Sequence, residues 1–280
     1  MPITKVGDVN LEYYVEGSGP PLLMIQGMGG QASSWGEPFM EALRPHFMTI
    51  RFSNRGVGLS DNPGNVVTIP AMADDAAGLL RELGIEKAHV LGISMGGMIA
   101  QEFALRHAGV VQGLVLGCTG CGPAHSTPPP PETLARLGQM MGLPAEERVR
   151  AYWSLTVTPA FLESGSELLE EMIQMVRAVP EELVRLQAAM GLQFGAITAF
   201  STYDRLPEIK APTLVIHGDS DVLVPAANGE MIHGKIAGSR MHIIQGVGHC
   251  FFWEKPAESA RAVIEFLSRV PEQTGLKVSA

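Results

Sequence analysis

The stretch Gly92-Ile93-Ser94-Met95-Gly96 decides how the rest of this sequence is interpreted. It follows residues 88–91, a short apolar run that predicts a buried strand, and it precedes apolar residues at helical spacing up to His107. A serine at a strand-to-helix junction is forced onto a tight bend, from which its hydroxyl points outward. Glycines at positions 92 and 96 avoid collisions across that bend. The pattern therefore predicts that Ser94 is a nucleophile.

A serine hydroxyl is a poor nucleophile unless a histidine takes its proton and a carboxylate orients that histidine. The sequence offers both in the required order. Residues 213–217 predict a buried strand that is followed by Asp219 and Asp221, and residues 241–244 predict another strand, followed by His249. Loops after the strands of a parallel sheet are where such folds carry their chemistry. Asp219 competes with Asp221 for the acid, and its alternative role is a turn residue that bonds its own backbone.

Four regions of the chain together resemble the α/β-hydrolases of the esterase, lactonase and haloperoxidase-like group. They are residues 22–30, 51–60, 91–97, and 216–225 with 246–256. The resemblance implies a mostly parallel central sheet flanked by helices, with an inserted helical cap. It also implies that Asp221 is the acid, because the family pattern G-x-x-D-x-x-x-P matches residues 218–225. His249 matches the family histidine, and the other seven histidines are interpreted as surface or strand residues.

Two backbone amides are predicted to hold the oxyanion of the reaction. The amide of Met95 begins the predicted helix, where an unpaired N–H and the helix dipole favour negative charge. The resemblance implies that the second donor is the amide of Met28, in a glycine-rich turn in which Gln26 replaces the histidine of many relatives. An ordinary glycine loop is the alternative. Ser53 similarly replaces a family aspartate, which predicts a changed hydrogen bond to Arg55.

The middle of the chain reads as a helical, methionine-rich insertion. We expect a first part of the hydrolase core at residues 1–124, a helical cap at 125–205 and a second part of the core at 206–280. The arginines of the cap are spaced as on solvated helix faces, which favours an apolar or weakly polar substrate. The residues predicted to line the substrate pocket are Gly27, Trp35, Met140, Trp153 and Phe194.

The composition narrows the classes of function. The chain has 280 residues, 46% of them hydrophobic, and a formal net charge of −9, so neither nucleic acid nor an anionic membrane is an expected partner. No signal sequence or membrane-spanning run stands out, and a cytoplasmic location is expected. Cys118 and Cys121 form a single C-x-x-C without a second pair, so no metal or cofactor is predicted. The oligomeric state stays open.

These features favour a serine carboxylesterase that acts on a small ester through an acyl-enzyme. The main alternative is a carbon–carbon hydrolase of aromatic ring-cleavage products, and lactonase or perhydrolase activity also remains open. Relatives with an aspartate nucleophile, such as epoxide hydrolases, are disfavoured because Ser94 stands at the bend. A ligand receptor built on a hydrolase fold is a further alternative, which the presence of all three catalytic residue types disfavours.

Overall fold

The computed structural model of the chain describes residues 2–140, 142–164, 170 and 180–271. In these residues one sheet has the strand order β1-β2-β4-β3-β5-β6-β7-β8. Strand β2 pairs antiparallel with both β1 and β4, and all pairs from β4 to β8 in this order are parallel. The strands are β1 Ile3–Val6, β2 Val9–Glu16, β3 Pro21–Ile25, β4 Met48–Phe52, β5 Ala88–Ile93, β6 Val111–Gly117, β7 Thr213–Gly218 and β8 Arg240–Ile244.

Helices cover both faces of this sheet, and a helical insertion separates β6 from β7. The described helices are α1 Glu37–Leu43, α2 Ile69–Glu82, α3 Met95–Arg106, α4 Pro131–Met140, α5 Ala145–Thr156, α6 Pro159–Glu163, α7 Pro180–Thr198, α8 Ala227–Lys235, α9 Phe251–Glu254 and α10 Pro256–Leu267. Helices α4 to α7 fall within the predicted cap, and the described part of that segment contains no strand. The expected mostly parallel sheet flanked by helices is therefore confirmed, and the predicted cap corresponds to the helical insertion between β6 and β7.

Successive side chains of the buried strands belong alternately to two apolar clusters, one on each face of the sheet. Leu23 and Ile25 of β3 pack with α2 and α3, whereas Leu22 and Met24 pack with α1 and α10. This alternation follows from the two-residue period of a strand. Because both faces are covered by helices, the central strands read as continuous apolar runs in the sequence.

After β3, the chain adds its next two strands on opposite sides of β3, which creates a topological switch point. From β3 it crosses to β4 on one side, and it then returns to add β5 on the other side. The carboxyl ends of β3 and β5 therefore border a crevice, which is where open parallel sheets bind their ligands. The glycine-rich turn follows β3 and Ser94 follows β5, so the fold brings these two predicted parts of the site together.

Glycines allow α3 to begin directly against the end of β3. A Cβ atom added to Gly96 would lie 2.1 Å from the carbonyl oxygen of Ile25, and one added to Gly92 would lie 2.2 Å from the carbonyl oxygen of Gly96. Real Cβ atoms do not approach backbone oxygens so closely. Both glycines of the bend are therefore required by packing, as the sequence pattern predicts.

Ser53, at the position where the family pattern has an aspartate, contacts a carboxylate from another strand. Ser53 Oγ donates to Glu12 Oε2 at 2.9 Å, and Glu12 is buried in β2. Arg55 instead forms two hydrogen bonds of 2.7 Å with Asp75 in α2. The partner of Arg55 is thus a carboxylate 20 residues further along the chain.

We predict that Gly96→Ala destabilises the protein because its new methyl group must displace the backbone of β3. The free energy of unfolding should fall by about 1–3 kcal/mol, the usual cost of overpacking a core. Gly109→Ala is the matched control, since a Cβ atom there meets nothing within 4 Å. Urea unfolding of both variants measures the difference, and equal stabilities would contradict the packing argument.

Candidate active site

Ser94 occupies a strained bend between β5 and α3. Its backbone torsions are φ 54° and ψ −124°, which a residue other than glycine rarely adopts. Its amide donates to the carbonyl oxygen of Gly117 at 2.9 Å, and its own carbonyl oxygen accepts from Thr119 Oγ1 at 2.7 Å. The end of β6 thus holds the bend in place, and the Ser94 side chain remains partly exposed.

The turn after β3 lies directly against Ser94. A Cβ atom added to Gly27 would lie 3.0 Å from Ser94 Cβ and 3.5 Å from its Oγ, so this predicted pocket residue borders the nucleophile. Gly30 N–H donates to the carbonyl oxygen of Gly27 at 3.1 Å, and Gly29 has a φ of 71°. These features are those of a type II β-turn. We name residues 27–30 the oxyanion turn.

Gln26, which stands where the family pattern has a histidine, supports the oxyanion turn with two hydrogen bonds. Its Nε2 donates to the carbonyl oxygen of Ser34 at 2.9 Å, and its Oε1 accepts from the amide of Gly27 at 3.2 Å. A glutamine can make both bonds at once because its amide group is both donor and acceptor. The replacement therefore leaves the turn supported.

The amides of Met28 and Met95 are available as donors. Within the described residues, neither of them donates to a protein acceptor. Met95 is the first residue of α3, and Met28 is the second residue of the oxyanion turn. Two unpaired N–H groups beside a partly exposed serine are the donor set that a tetrahedral oxyanion requires.

Asp221 and His249 meet at the carboxyl ends of β7 and β8. His249 Nδ1 lies 2.8 Å from Asp221 Oδ2, and both residues are at most 5% exposed. The other oxygen, Asp221 Oδ1, accepts from the amides of Leu223 at 2.9 Å and Val224 at 2.8 Å. These backbone bonds orient the carboxylate, and the carboxylate in turn orients the imidazole.

The electrostatics of this pair oppose the effect of burial. Burial by itself lowers the pKa of the His249 imidazole, but the Asp221 carboxylate, with a further contribution from Cys118, outweighs burial and holds that pKa well above its usual range. Burial by itself raises the pKa of the Asp221 carboxyl, but the neighbouring His249 and His217 bring that pKa below its usual value. Asp221 is therefore ionised, and it stabilises a protonated His249.

Asp219, the alternative candidate for the acid, bonds to residues of two neighbouring loops and not to His249. Its Oδ1 accepts from the amide of Gly246 at 2.7 Å, and it also accepts from the hydroxyl of Ser220. Asp219 thus ties the loop after β7 to the loop after β8. Asp221, and not Asp219, contacts His249.

His217 is a part of the site that the sequence argument missed. Its position in the sequence predicts an ordinary strand histidine, yet it is fully buried and its Nε2 lies 3.5 Å from Asp221 Oδ2. The same nitrogen lies 2.8 Å from the carbonyl oxygen of Val224, so it carries the hydrogen, since a carbonyl only accepts. His217 lies four residues before the acid at the end of β7, and this spacing is the one signal that could have revealed it.

Glu254 joins the histidine loop to the cap. Its Oε1 accepts from the amide of Gly248 at 2.7 Å, and its Oε2 accepts from both the amide and the hydroxyl of Thr158. Trp153 of α5 stacks on Trp253 with ring centroids 4.7 Å apart. The cap is thus held against the segment that carries His249.

The remaining pocket predictions have different outcomes. Trp35 has no exposed surface and packs against Phe39 and Phe252 in the core. Phe194 is 60% exposed on α7. Trp35 thus lies among core side chains and Phe194 lies at the surface, and the role of each as a pocket residue stays a prediction. Met140 and Trp153 are buried in the cap, at 7% and 1% exposure.

Tyr152 is a better candidate for the cap side of the pocket. It precedes Trp153 on α5, so the two side chains point in different directions from the helix. Burial raises the pKa of the Tyr152 phenol, with smaller contributions from Cys250, Cys118 and Asp221. Tyr152 retains some exposed surface, whereas Trp153 is almost fully buried.

The described residues contain no group of three or more histidine, cysteine, aspartate or glutamate side chains arranged to hold a metal ion. Cys118, Cys121 and Cys250 are buried free thiols. In the described part of the chain, no helix is both long enough and apolar enough to cross a membrane.

A family model described as alpha/beta hydrolase fold matches residues 20–256. The chain belongs to this family. It is 30% identical over 275 residues to a 2-hydroxy-6-oxo-6-phenylhexa-2,4-dienoate hydrolase of Comamonas testosteroni, covering 94% of this chain and 92% of the relative. Membership of this family of hydrolases agrees with the fold and with the arrangement of the site.

Solved structures show the same similarity. An enol-lactonase from Burkholderia xenovorans LB400 aligns with a TM-score of 0.80 and 26% identity, covering 96% of this chain and 100% of that one. A thermophilic esterase from Thermogutta terrifontis aligns with a TM-score of 0.77 and 29% identity, covering 96% and 99%. Hydrolases with differently named substrates therefore share this architecture.

We predict that Asp221→Asn changes both the rate and its pH dependence. In the unmodified protein the raised pKa of His249 means that kcat/KM rises with pH, with a midpoint above 6.5. Without the carboxylate, burial dominates and the midpoint should move to lower pH, while kcat falls by roughly 10³–10⁴. NMR titration of the His249 imidazole gives the same midpoint independently of turnover.

Asp219→Asn is the matched control for this experiment. It should leave the midpoint and kcat nearly unchanged, because Asp219 bonds Gly246 and not His249. If Asp219→Asn shifts the midpoint and Asp221→Asn does not, the assignment of the acid is wrong.

Proposed function

We propose that this protein is a serine carboxylesterase that acts through an acyl-enzyme, with Ser94, His249 and Asp221 as its triad. The observation that carries the proposal is the strained, partly exposed Ser94 at the crevice of the sheet, bordered by Gly27 and by the unpaired amide of Met95. A buried, hydrogen-bonded histidine and carboxylate at the same end of the sheet supply the base and its partner.

The proposed order of proton transfers follows from the hydrogen bond that His249 already makes to Asp221. Because His249 Nδ1 is bonded to Asp221, its Nε2 is the nitrogen that accepts the proton of Ser94 Oγ. The serine oxygen attacks the ester carbonyl, and the amides of Met28 and Met95 stabilise the resulting oxyanion. His249 then returns the proton to the departing alcohol. Water, deprotonated by the same nitrogen, attacks the acyl-enzyme and releases the acid and free Ser94.

An uncharged substrate is supported by the arginines of the cap. Arg136 donates to Ser154, Arg148 to the Leu143 carbonyl oxygen, and Arg185 to the Gly58 carbonyl oxygen. Arg150 pairs with Glu146 and Glu170. These contacts engage each of them with the protein itself. Arg177 lies outside the described residues.

A carbon–carbon hydrolase is the second candidate. It is favoured by the similarity to the Comamonas testosteroni dienoate hydrolase, which extends over 94% of this chain. The two reactions differ in the leaving group, which is an alcohol oxygen in one case and a carbon that must be protonated in the other. A ring-cleavage dienoate therefore belongs in the same assay as the esters, together with a lactone.

We predict that Ser94→Ala abolishes nearly all turnover without unfolding the protein. The residual rate should be only that supplied by the oxyanion donors and binding, about 10³–10⁴-fold above water in comparable enzymes. A fluorophosphonate should label Ser94 in the unmodified protein, as located by peptide mass spectrometry. Ser33→Ala, at an exposed position in the turn before α1, is the control and should retain full activity. Activity that survives in Ser94→Ala would remove the proposed nucleophile.

We predict graded rather than absolute selectivity across esters of increasing acyl length. An apolar pocket discriminates by about 1–3 kcal/mol per methylene, or roughly 10–200-fold in kcat/KM. Tyr152→Ala should shift the preferred acyl length, whereas Leu134→Ala, which truncates a 49% exposed cap residue, should not. A preference of a thousandfold or more for a charged substrate would contradict the proposed pocket.

A further inference from the structure

We propose that Gln193 of the cap is a positioning residue that sets the conformation of the oxyanion turn. The inference rests on the proposed function, because it assigns catalytic value to the turn that carries the Met28 amide. It adds a coupling between the cap and the oxyanion donors, through a side chain that does not touch the reacting atoms.

The contact joins two segments that are far apart in the sequence. Gln193 Oε1 accepts from the amide of Gly29 at 2.8 Å, across 164 residues of chain, and the Gln193 side chain is fully buried. The same helix, α7, covers the turn with apolar atoms. A Cβ atom added to Gly29 would lie 3.0 Å from Met190 Sδ and 3.6 Å from Leu186 Cδ1.

The orientation of this side chain is fixed by chemistry. An amide N–H can only donate, so the oxygen of Gln193, and not its nitrogen, must face Gly29. Gln193 Nε2 is consequently buried without an acceptor among the described residues. A buried donor without a partner is costly, and an apolar side chain of similar size would avoid that cost. Gln193 is therefore better explained by the bond it makes to the turn than by packing within the cap.

The bond selects one of two conformations of the turn. In a four-residue turn the middle peptide can flip between type I, with negative φ at the third residue, and type II, with positive φ. Glycine tolerates both, so Gly29 by itself does not decide between them. The observed φ of 71° directs the Gly29 N–H to Gln193, and a flip would present the Met28 carbonyl oxygen to the cap instead.

This selection matters because the turn borders the nucleophile. Gly27, at its start, is in contact with Ser94, and Met28 carries one of the two proposed oxyanion donors. Preorganised dipoles stabilise a transition state only when they need not reorient during the reaction. The flip rotates the Met28–Gly29 peptide and leaves in place the Gly27–Met28 peptide, which carries the Met28 N–H. Gln193 thus acts by fixing the peptide dipole next to the proposed donor.

The test is Gln193→Met, with Gln187→Met on the same helix as the matched control. The measurements are kcat and KM for a neutral ester, the affinity for an alkyl boronic acid that forms a tetrahedral adduct, and hydrogen exchange of the Gly29 amide. Gln193→Met should lower kcat and boronic acid affinity by about 10–100-fold, less than the 10²–10³ seen when a donor is removed outright. KM should change by less than about threefold, since binding of the ground state does not depend on the oxyanion donors.

A second variant separates the hydrogen bond from simple disruption of the fold. Gln193→Glu keeps an acceptor oxygen for the Gly29 amide and should retain more of kcat than Gln193→Met. Faster exchange of the Gly29 amide in Gln193→Met, with normal exchange in Gln187→Met, would locate the effect at the turn.

The other outcomes discriminate between the two proposals. Unchanged kcat and boronic acid affinity in Gln193→Met would overturn the inference, as would a rise in KM at constant kcat. If the unmodified protein hydrolyses no ester and Ser94 resists the fluorophosphonate, the proposed function fails. If no ester is hydrolysed and the Gly29 amide of Gln193→Met still exchanges faster than in the unmodified protein, the hydrogen bond only stabilises the structure. That result would also refute a catalytic role for Gln193.

Discussion

The close approach of α3 to the carboxyl end of β3 is the constraint on which the site depends. It is possible only because Gly96 has no side chain, since a Cβ atom there would lie 2.1 Å from the Ile25 carbonyl oxygen. The approach brings the first amide of α3 and the turn after β3 to the same side of Ser94. Backbone strain at Ser94, with its φ of 54°, is the local consequence, and hydrogen bonds from the end of β6 hold it.

The cap is bonded to both halves of the proposed catalytic machinery. Through α7 it contacts the oxyanion turn at Gly29, and through Thr158 it contacts Glu254, which also bonds the amide of Gly248 just before His249. The cap segment therefore shares hydrogen bonds with both the turn after β3 and the loop that carries His249.

The acid and the histidine illustrate how burial and pairing compete. Both are almost fully removed from water, which by itself disfavours their charged forms. Their mutual hydrogen bond, two backbone amides on Asp221 and the nearby His217 reverse that preference. The result is a histidine that binds a proton readily, as the proposed role of general base requires.

The fold, and the candidate site residues that follow strand ends, could be predicted from the amino-acid sequence alone. The bend at Ser94 and the glycine turn were predicted because glycine placement and strand–turn–helix order are local, and local pattern also placed Asp221 and His249 in loops after strands. Contacts between side chains of distant segments became visible in the three-dimensional structure. Glu12 accepts a hydrogen bond from Ser53, and His217 lies beside Asp221. Trp35 is buried in the core, and Gln193 accepts a hydrogen bond from Gly29. Such contacts depend on helix packing and on the path of the cap, and no periodicity in the sequence encodes them.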